Sequence, residues 1–293
     1  MEFEEFTVGE NDANRRLDRV IRKMFPRVPL SRLYALIRTG KIRVNGKKTH
    51  QSAVLVQGDV VQVYTLIHQS AAPLPSSPRK PVFPQLAVLY RDADFLVLNK
   101  PRHVLVHGKQ SLDSAVKAEY TAALAQSGKK PSLSFTPGPL HRLDGGTSGI
   151  LVFSQSLRGA QTFSAALRNG KILRFYTALV VGRFSGQCEF QSPVDGKPAH
   201  TVMRSLRYFA AENVTLVEIQ IFTGRKHQIR IHCAANGFPL FGDTDGTEKN
   251  RNGKKLGGYF LHFTKMQCLE KVLNLPEILF APLPAYFPHG NGD

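Results

Sequence analysis

Acidic residues are scarce in this chain. Against 39 lysines and arginines stand 22 aspartates and glutamates, which leaves a net charge of +17 and a pI near 10.0. That imbalance favours a polyanionic partner, with nucleic acid ahead of a membrane surface. No run of about 18 apolar residues is present to span a bilayer, and no basic amphipathic anchor stands out. Cysteine is scarcer still. Cys188, Cys233 and Cys268 are odd in number, widely spaced and set in apolar surroundings, so they read as reduced core residues. None forms C-x-x-C, which excludes zinc ribbons and the zinc-dependent base-deaminase pattern. The N-terminus, MEFEEFTVGENDANRR, is acidic and lacks the apolar stretch of a signal peptide, so a cytoplasmic location is expected. G-x-G-x-x-G is absent. Gly40 to Lys48 has one residue too many for a phosphate-binding loop and no Ser or Thr after the lysine. His227-Gln-Ile-Arg-Ile-His232 has the wrong spacing for a zinc helix and no Glu. No cofactor and no metal is expected.

What is present divides into two modules and a linker. Asn14 to Lys48 holds twelve Lys or Arg and the single acid Asp18. Leu17, Val20, Ile21 and Met24 recur at helical spacing, as do Leu30, Leu33, Tyr34 and Ile37. Two short amphipathic helices therefore carry the arginines on their polar faces. Lys41 to Lys47 reads as a strand with an Asn-Gly turn, and a Gly58-Asp59 turn leads to a strand at Val60 to Tyr64. The module is assigned residues 1–68. Residues 69–84, with five prolines and three serines, read as an extended linker. The rest, 85–293, alternates strands and helices and is assigned to one catalytic domain.

That domain is organised around PLHRLDGGTSGILVFS, residues 139–154. Gly145 and Gly146 after Asp144 permit positive φ and close approach of other groups. Thr147 and Ser148 can fix the turn, and Gly149 to Phe153 reads as a buried strand. An isolated Leu-Asp-Gly-Gly is also a common turn whose Asp caps its own backbone. His141 and Arg142 stand just before it, so an anionic ligand and a reactive carboxylate can meet here. Leu173 to Val181 reads as a strand buried on both sides and carrying Tyr176. Thr223-Gly224-Arg225 turns into a helix from His227 to Ala235, on which Arg230 is expected to point inward and to need an anionic partner. A carboxylate beside an arginine stays ionised and can act as nucleophile or base. Without metal or cofactor, chemistry on RNA narrows to isomerisation or hydrolysis at a base or sugar.

HRLDGGTSG resembles the H-R-L-D-x-x-T-S-G motif of the RluA family of RNA pseudouridine synthases. LYRDADFLVLNKPRHVLVHG, RFYTALVVG, DGKPAHTVMR and FTGRKHQIRIHCAANGFPLFGD agree in order, so the resemblance covers about residues 86–287. RLDRVIRKMF and PLSRLYALIRTGKIRVNGKK resemble the S4 RNA-binding domain. Together these imply an α+β chain: a pseudouridine synthase fold, with a mixed, largely antiparallel sheet, flanking helices and a central cleft, plus a small α/β S4 domain. They imply that Asp144 is the catalytic aspartate, that Tyr176 stacks on the uracil and is linked to loss of the C5 proton, and that Arg230 pairs with the catalytic carboxylate. Arg142 would hold the flipped-out RNA. His141, Thr147, Arg225 and His227 join it as expected RNA contacts, and the S4 resemblance adds Ser31, Arg32, Arg38, Lys41 and Arg43. The activity implied is isomerisation of uridine in large-subunit ribosomal RNA, or a precursor particle, by a monomer. Two rivals remain: an RNA-binding protein that has lost catalysis, although Asp144, Tyr176 and Arg230 are all present, and a base hydrolase. Arg91 and Arg174 depart from the Glu and Lys usual in the family, and neither has an assigned chemical role. Gly145-Gly146 replaces a more polar pair.

Overall fold

A computed structural model of the chain describes residues 2–65, 87–108, 110–128, 130–243 and 257–288. The expected linker, 69–84, lies outside them. The chain divides into two compact units, the first drawn from Met1–Val82, Ser114–Gly138 and Gln155–Arg158, the second from Phe83–Asp113, Pro139–Ser154 and Gly159–Asp293.

In the first unit, β1 (Phe3–Thr7), β2 (Arg15–Arg16), α1 (Leu17–Met24), α2 (Leu30–Arg38), β3 (Ile42–Val44), β4 (Val54–Leu55) and β5 (Val60–Tyr64) follow in order. The two expected helices are α1 and α2. Leu17, Val20 and Ile21 of α1 and Leu33 and Ile37 of α2 are buried together with Ile42, Val61 and Val63 of the antiparallel sheet β1-β5-β3. Helical spacing has put the apolar residues on one face and left the cations outside. One feature of this unit was not legible in the sequence. The Asp12 carboxylate, 1% exposed, accepts hydrogen bonds from the Ser132 hydroxyl at 2.7 Å, the Leu133 and Ser134 amides at 2.8 and 2.9 Å, and the Ser134 hydroxyl at 2.6 Å. Leu133 packs on the same core. The Gly/Pro/Ser-rich stretch after α3 (Leu112–Ser127) is thus pinned by a buried carboxylate rather than running free.

The second unit is built on a ten-stranded sheet. Its strands are β6 (Ala87–Arg91), β7 (Phe95–Lys100), β9 (Ser148–Ser154), β10 (Ile172–Val181), β11 (Gln187–Phe190), β12 (Thr201–Phe209), β13 (Val214–Ile221), β14 (Leu261–Cys268) and β15 (Ile278–Phe280), with the two-residue β8 (Gly138–Pro139) paired to β9. The order is β11-β12-β13-β10-β14-β9-β7-β6, with β15 beside β14. Pairings with printed register are antiparallel except that of β9 with β14. The sheet is therefore mixed and largely antiparallel, and helices α4 (Leu157–Arg168) and α5 (Gln228–Ala235) accompany it. Every residue of β9 is buried. Gly149 makes the parallel pairing possible: its φ is +111°, and a Cβ there would overlap the Phe263 backbone. Cys233 and Cys268 are buried and Cys188 half-buried, all three as free thiols.

Replacing Asp12 by Ala leaves the 132–134 donors without their acceptor and is expected to cost about 3 kcal/mol. Hydrogen exchange should register it as lost protection of the Leu133 and Ser134 amides. Unchanged protection would mean that the carboxylate does not hold this segment.

Candidate active site

The turn that carries Asp144 is held from beneath by an ammonium group. Lys100, the last residue of β7, is 0% exposed, and its Nζ donates to the carbonyls of Thr147 at 2.7 Å, Pro101 at 3.0 Å and Gly145 at 3.2 Å. Burial lowers its pKa to about 8, and the Asp144 charge opposes that shift. The Thr147 amide closes the turn on the Asp144 carbonyl at 3.1 Å, and the His103 amide reaches the Gly145 carbonyl at 2.7 Å. With its backbone so tied, the Asp144 carboxylate sits where β9 begins, 29% exposed, with Nε2 of His227 at 3.7 Å.

Tyr176 reaches the same cleft from β10. The pairing of β10 with β14 slips between Phe175 and Tyr176, the kind of bulge that re-aims a side chain. The Tyr176 ring is buried and stacks on Phe263, centroids 4.7 Å apart and planes 16° from parallel. Burial pushes the phenol up to about 12, with Arg174 pulling it down and Asp144 pushing it further up. At neutral pH it is a protonated hydroxyl.

Helix α5 delivers the cationic wall. His227 caps it in the left-handed region, φ 56°, and Gln228 organises the turn ahead of it. The Gln228 Oε1 accepts from the Thr223 hydroxyl at 2.7 Å and the Arg225 amide at 3.0 Å, while Nε2 donates to the His200 carbonyl at 3.0 Å and the Thr201 hydroxyl at 2.9 Å. Arg230 does have an anionic partner, but it is not Asp144. Its guanidinium grips Asp243, Nε at 2.9 and 3.0 Å and Nη2 at 2.7 Å, and lies over the Tyr259 ring at 4.9 Å. Asp243 is the foremost influence raising the Arg230 pKa and Asp144 the least. The two-pronged contact with Asp243 satisfies the planar fork, so the expected pairing with the Asp144 carboxylate is replaced.

The resulting cleft, about 660 Å³, is lined by Asp144, Tyr176 and Arg230 together with His141, Arg142, Thr147, Arg225 and His227. These expected residues of the second unit do converge, but not in equal roles. Arg142 and Arg225 are exposed on the wall. His141 is not a cation there: its Nε2 accepts the Val152 amide at 3.2 Å, its ring packs near Phe163 and Phe263, and burial followed by the Arg174 charge pushes it down to about 3. Thr147 is buried at the turn, its hydroxyl 3.2 Å from that of Tyr259, which makes it a brace rather than a surface contact. In the first unit Ser31, Arg32, Arg38 and Lys41 are exposed, whereas Arg43 is half-buried, donating to the Gly40 carbonyl at 2.8 Å and lying over Phe3. Among the described residues no group of three or more His, Cys, Asp or Glu could hold a metal ion, and no helix is long and apolar enough to cross a membrane.

Four residues of the site escaped sequence reasoning: Lys100, Asp243, Tyr259 and Gln228. Lys100 and Asp243 stand in stretches that carried the resemblance, the first before Pro101 and the second after Gly242, and each was readable as a charged residue beside a turn. The glycine pair after Asp144 also behaves differently from expectation. Neither Gly145 nor Gly146 has positive φ. Close approach is the reason for Gly146, where a Cβ would meet the Tyr259 ring at 2.8 Å, while at Gly145 the nearest atom would be Leu105 at 3.5 Å. Gly146→Ala is therefore expected to lose about 1–3 kcal/mol by overpacking, and Gly145→Ala to change stability by less than about 1 kcal/mol. Thermal unfolding of the two variants side by side checks this, and equal effects would contradict it.

Residues 94–235 match the family model described as RNA pseudouridylate synthase. The ribosomal large subunit pseudouridine synthase C of Vibrio cholerae is 30% identical over 301 residues, covering 95% of this chain and 93% of the relative. The ribosomal large subunit pseudouridine synthase D of Yersinia pestis is 30% identical over 81% of this chain and 74% of its own length. Among solved structures, human RNA pseudouridylate synthase domain containing 4 superposes with a TM-score of 0.54 at 22% identity, over 69% of this chain and 90% of that one, a likeness of fold. An aspartate on a braced turn, a buried strand tyrosine and a helix arginine thus lie within a sequence whose relatives extend over nearly its whole length, and the chain belongs to the RNA pseudouridylate synthase family of enzymes.

Proposed function

We propose that this enzyme converts uridine to pseudouridine in large-subunit ribosomal RNA, with Asp144 as the reacting carboxylate. The substrate class rests on the relatives named above, which match over 95% and 81% of the chain. The observation that carries the residue assignment is the position of Asp144, a carboxylate at the head of a turn whose Gly145 and Thr147 carbonyls bind a buried ammonium, opening into a cleft whose wall holds Arg142, Arg168, Arg174, Arg225 and Lys226. Such a wall offers phosphates their counter-charges.

The target base leaves its stack and enters the cleft. With Asp144 assisting, either as nucleophile at C1′ or as base at the sugar, the C1′–N1 bond breaks. The uracil turns over, C5 bonds to C1′, the C5 proton is lost and N1 takes up a proton, so the product is an isomer and nothing else is consumed. The Tyr176 ring, fixed on Phe263, offers its edge and hydroxyl beside the base. Because its phenol is held protonated, it takes the C5 proton only as its own passes on. Arg230 steadies the wall through Asp243 and adds positive charge near the carboxylate.

In the same reading the basic N-terminal module is an S4-type RNA-docking element, with Ser31, Arg32, Arg38, Lys41 and Arg43 toward the RNA, and the protein acts as a cytoplasmic monomer on ribosomal RNA or a precursor particle. Neutralising Arg32 and Arg38 is expected to reduce the salt dependence of RNA binding. An unchanged slope would remove them from the interface.

The chemistry is checked with ribosomal RNA tritiated at uracil C5. The wild type should release tritium without freeing uracil, and Asp144→Asn should release none above background. Tyr176→Phe keeps the ring on Phe263, so it should melt within about 1 kcal/mol of wild type and yet lose turnover at least tenfold. Free uracil among the products would instead indicate a hydrolase, and full activity of Asp144→Asn would remove the carboxylate from the mechanism.

A further inference from the structure

Two features of the cleft wall are not used by the steps above. The first is Phe222, which follows β13 and lines the cleft while remaining 44% exposed. His200 stacks on one face of it, centroids 4.3 Å apart and planes 14° from parallel. That stack is anchored at several points. The Phe222 amide donates to the His200 carbonyl at 3.1 Å, and the Thr223 hydroxyl accepts from the His200 amide at 2.9 Å; the imidazole Nε2 lies 2.7 Å from a Glu189 carboxylate oxygen but makes no hydrogen bond. With one face covered by His200, the opposite face of the Phe222 ring is the open one. A rigid aromatic with one free face suits a flat ligand.

The second feature is Arg174, two residues before Tyr176 on β10. Among the described residues no carboxylate pairs with it, and its buried Nε has no hydrogen-bond partner. A Cβ on Gly224 would stand 3.0 Å from its Nη1, so the guanidinium reaches beneath the Thr223–Arg225 turn that immediately follows Phe222. Burial lowers its pKa. The half-buried side chain lines the cleft, and a guanidinium with no carboxylate beside it suits an oxyanion, its Nη donors matching phosphate. Arg168, Arg225 and Lys226 surround the same wall, and Arg225 spends only its Nε on the Pro198 carbonyl. An anion-seeking fork beside an open aromatic face, in a cationic cleft, fits a nucleotide: every base has a π-face to stack, and a phosphate accompanies each one.

We propose that this wall is the subsite for the nucleotide adjoining the target uridine, its base stacked on Phe222 opposite His200 and its phosphate held by Arg174. The subsite rests on the reading of the Asp144 cleft as the uridine site. It gives the enzyme a contact outside the target base, so the neighbour's stacking strength enters the choice of RNA.

The test is a binding cycle with uridine-centred RNA heptamers at low salt, where a chain of net charge +17 binds short RNA through phosphate contacts. The full-length Asp144→Asn protein is used so that nothing turns over. Oligonucleotides are intact, or abasic at the position 5′ of the uridine, 3′ of it, or three nucleotides away. Phe222→Leu should weaken the intact RNA about tenfold and should leave binding unchanged when one adjoining base is already missing. The distant abasic site should show no such coupling. Arg174→Gln should lower the slope of log K against log salt by about 0.7, and Arg174→Lys should restore most of it. Equal loss by Phe222→Leu on every RNA, or no loss at all, overturns the base platform. An unchanged salt slope in a folded Arg174→Gln protein overturns the phosphate contact. Tritium release separates the two readings: coupling without any isomerisation leaves an RNA subsite on a protein that is not a synthase, whereas isomerisation without coupling refutes the subsite alone.

Discussion

A buried ammonium against the turn that carries Asp144 is the constraint on which the site depends. Lys100 reaches from the end of β7 to three carbonyls, two of them in the Gly145–Thr147 backbone that follows Asp144. Leaving such a cation unpaired in the interior would be costly, and carbonyl dipoles with the nearby Asp144 charge offset that cost. The consequence is mutual: the ammonium fixes the turn, and the turn justifies the ammonium. β9 then runs from this fixed point, between β14 and β7, with Gly149 allowing the strand to lie against the Phe263 backbone. The same Phe263 carries the Tyr176 ring. Carboxylate and phenol are thus referenced to one strand, and their relative position depends on few flexible groups.

Charge is distributed around that fixed centre in two ways. Some cations are consumed by the protein: Arg230 by Asp243 and Tyr259, and Lys100 by the turn. Others on the same wall, Arg142, Arg174 and Arg225, keep donors for a ligand. The distinction separates groups that hold the site's shape from groups left free for a ligand, and it explains how a cleft can hold many positive charges and stay folded. Those spent internally are compensated, Arg142 and Arg225 at the surface stay hydrated, and Arg174 is half-buried with no carboxylate beside it among the described residues.

Sequence reasoning succeeded where chemistry is local. Asp144 followed by two glycines, the apolar run of β9, the strand with Tyr176 and the short helix with Arg230 are each visible within a dozen residues, and Asp144, Tyr176 and Arg230 line one cleft. It failed where the partner is remote. The partner of Arg230 lies thirteen residues on, at Asp243, and a helical wheel cannot show which carboxylate a guanidinium will meet. Gly146 is explained by Tyr259, more than a hundred residues away, so close approach was legible in the glycine pair but the ring that approaches was not. Lys100 escaped notice for a related reason, since a lysine ending a strand gives no sign of the remote carbonyls that bury it, and the sequence around His141 does not show that its Nε2 accepts the Val152 amide. Asp12 shows the same limit in the N-terminal module, since nothing near it in sequence points to the Ser132–Ser134 donors that its buried carboxylate gathers.

The central claim is that the Asp144 carboxylate isomerises a uridine of large-subunit ribosomal RNA. Its most direct measurement is a nucleotide-resolution pseudouridine map of that RNA from cells lacking this protein and from the same cells supplied with either wild type or Asp144→Asn. At least one position should be uridine without the protein, pseudouridine with the wild type, and uridine again with Asp144→Asn. Identical maps in all three would contradict the account.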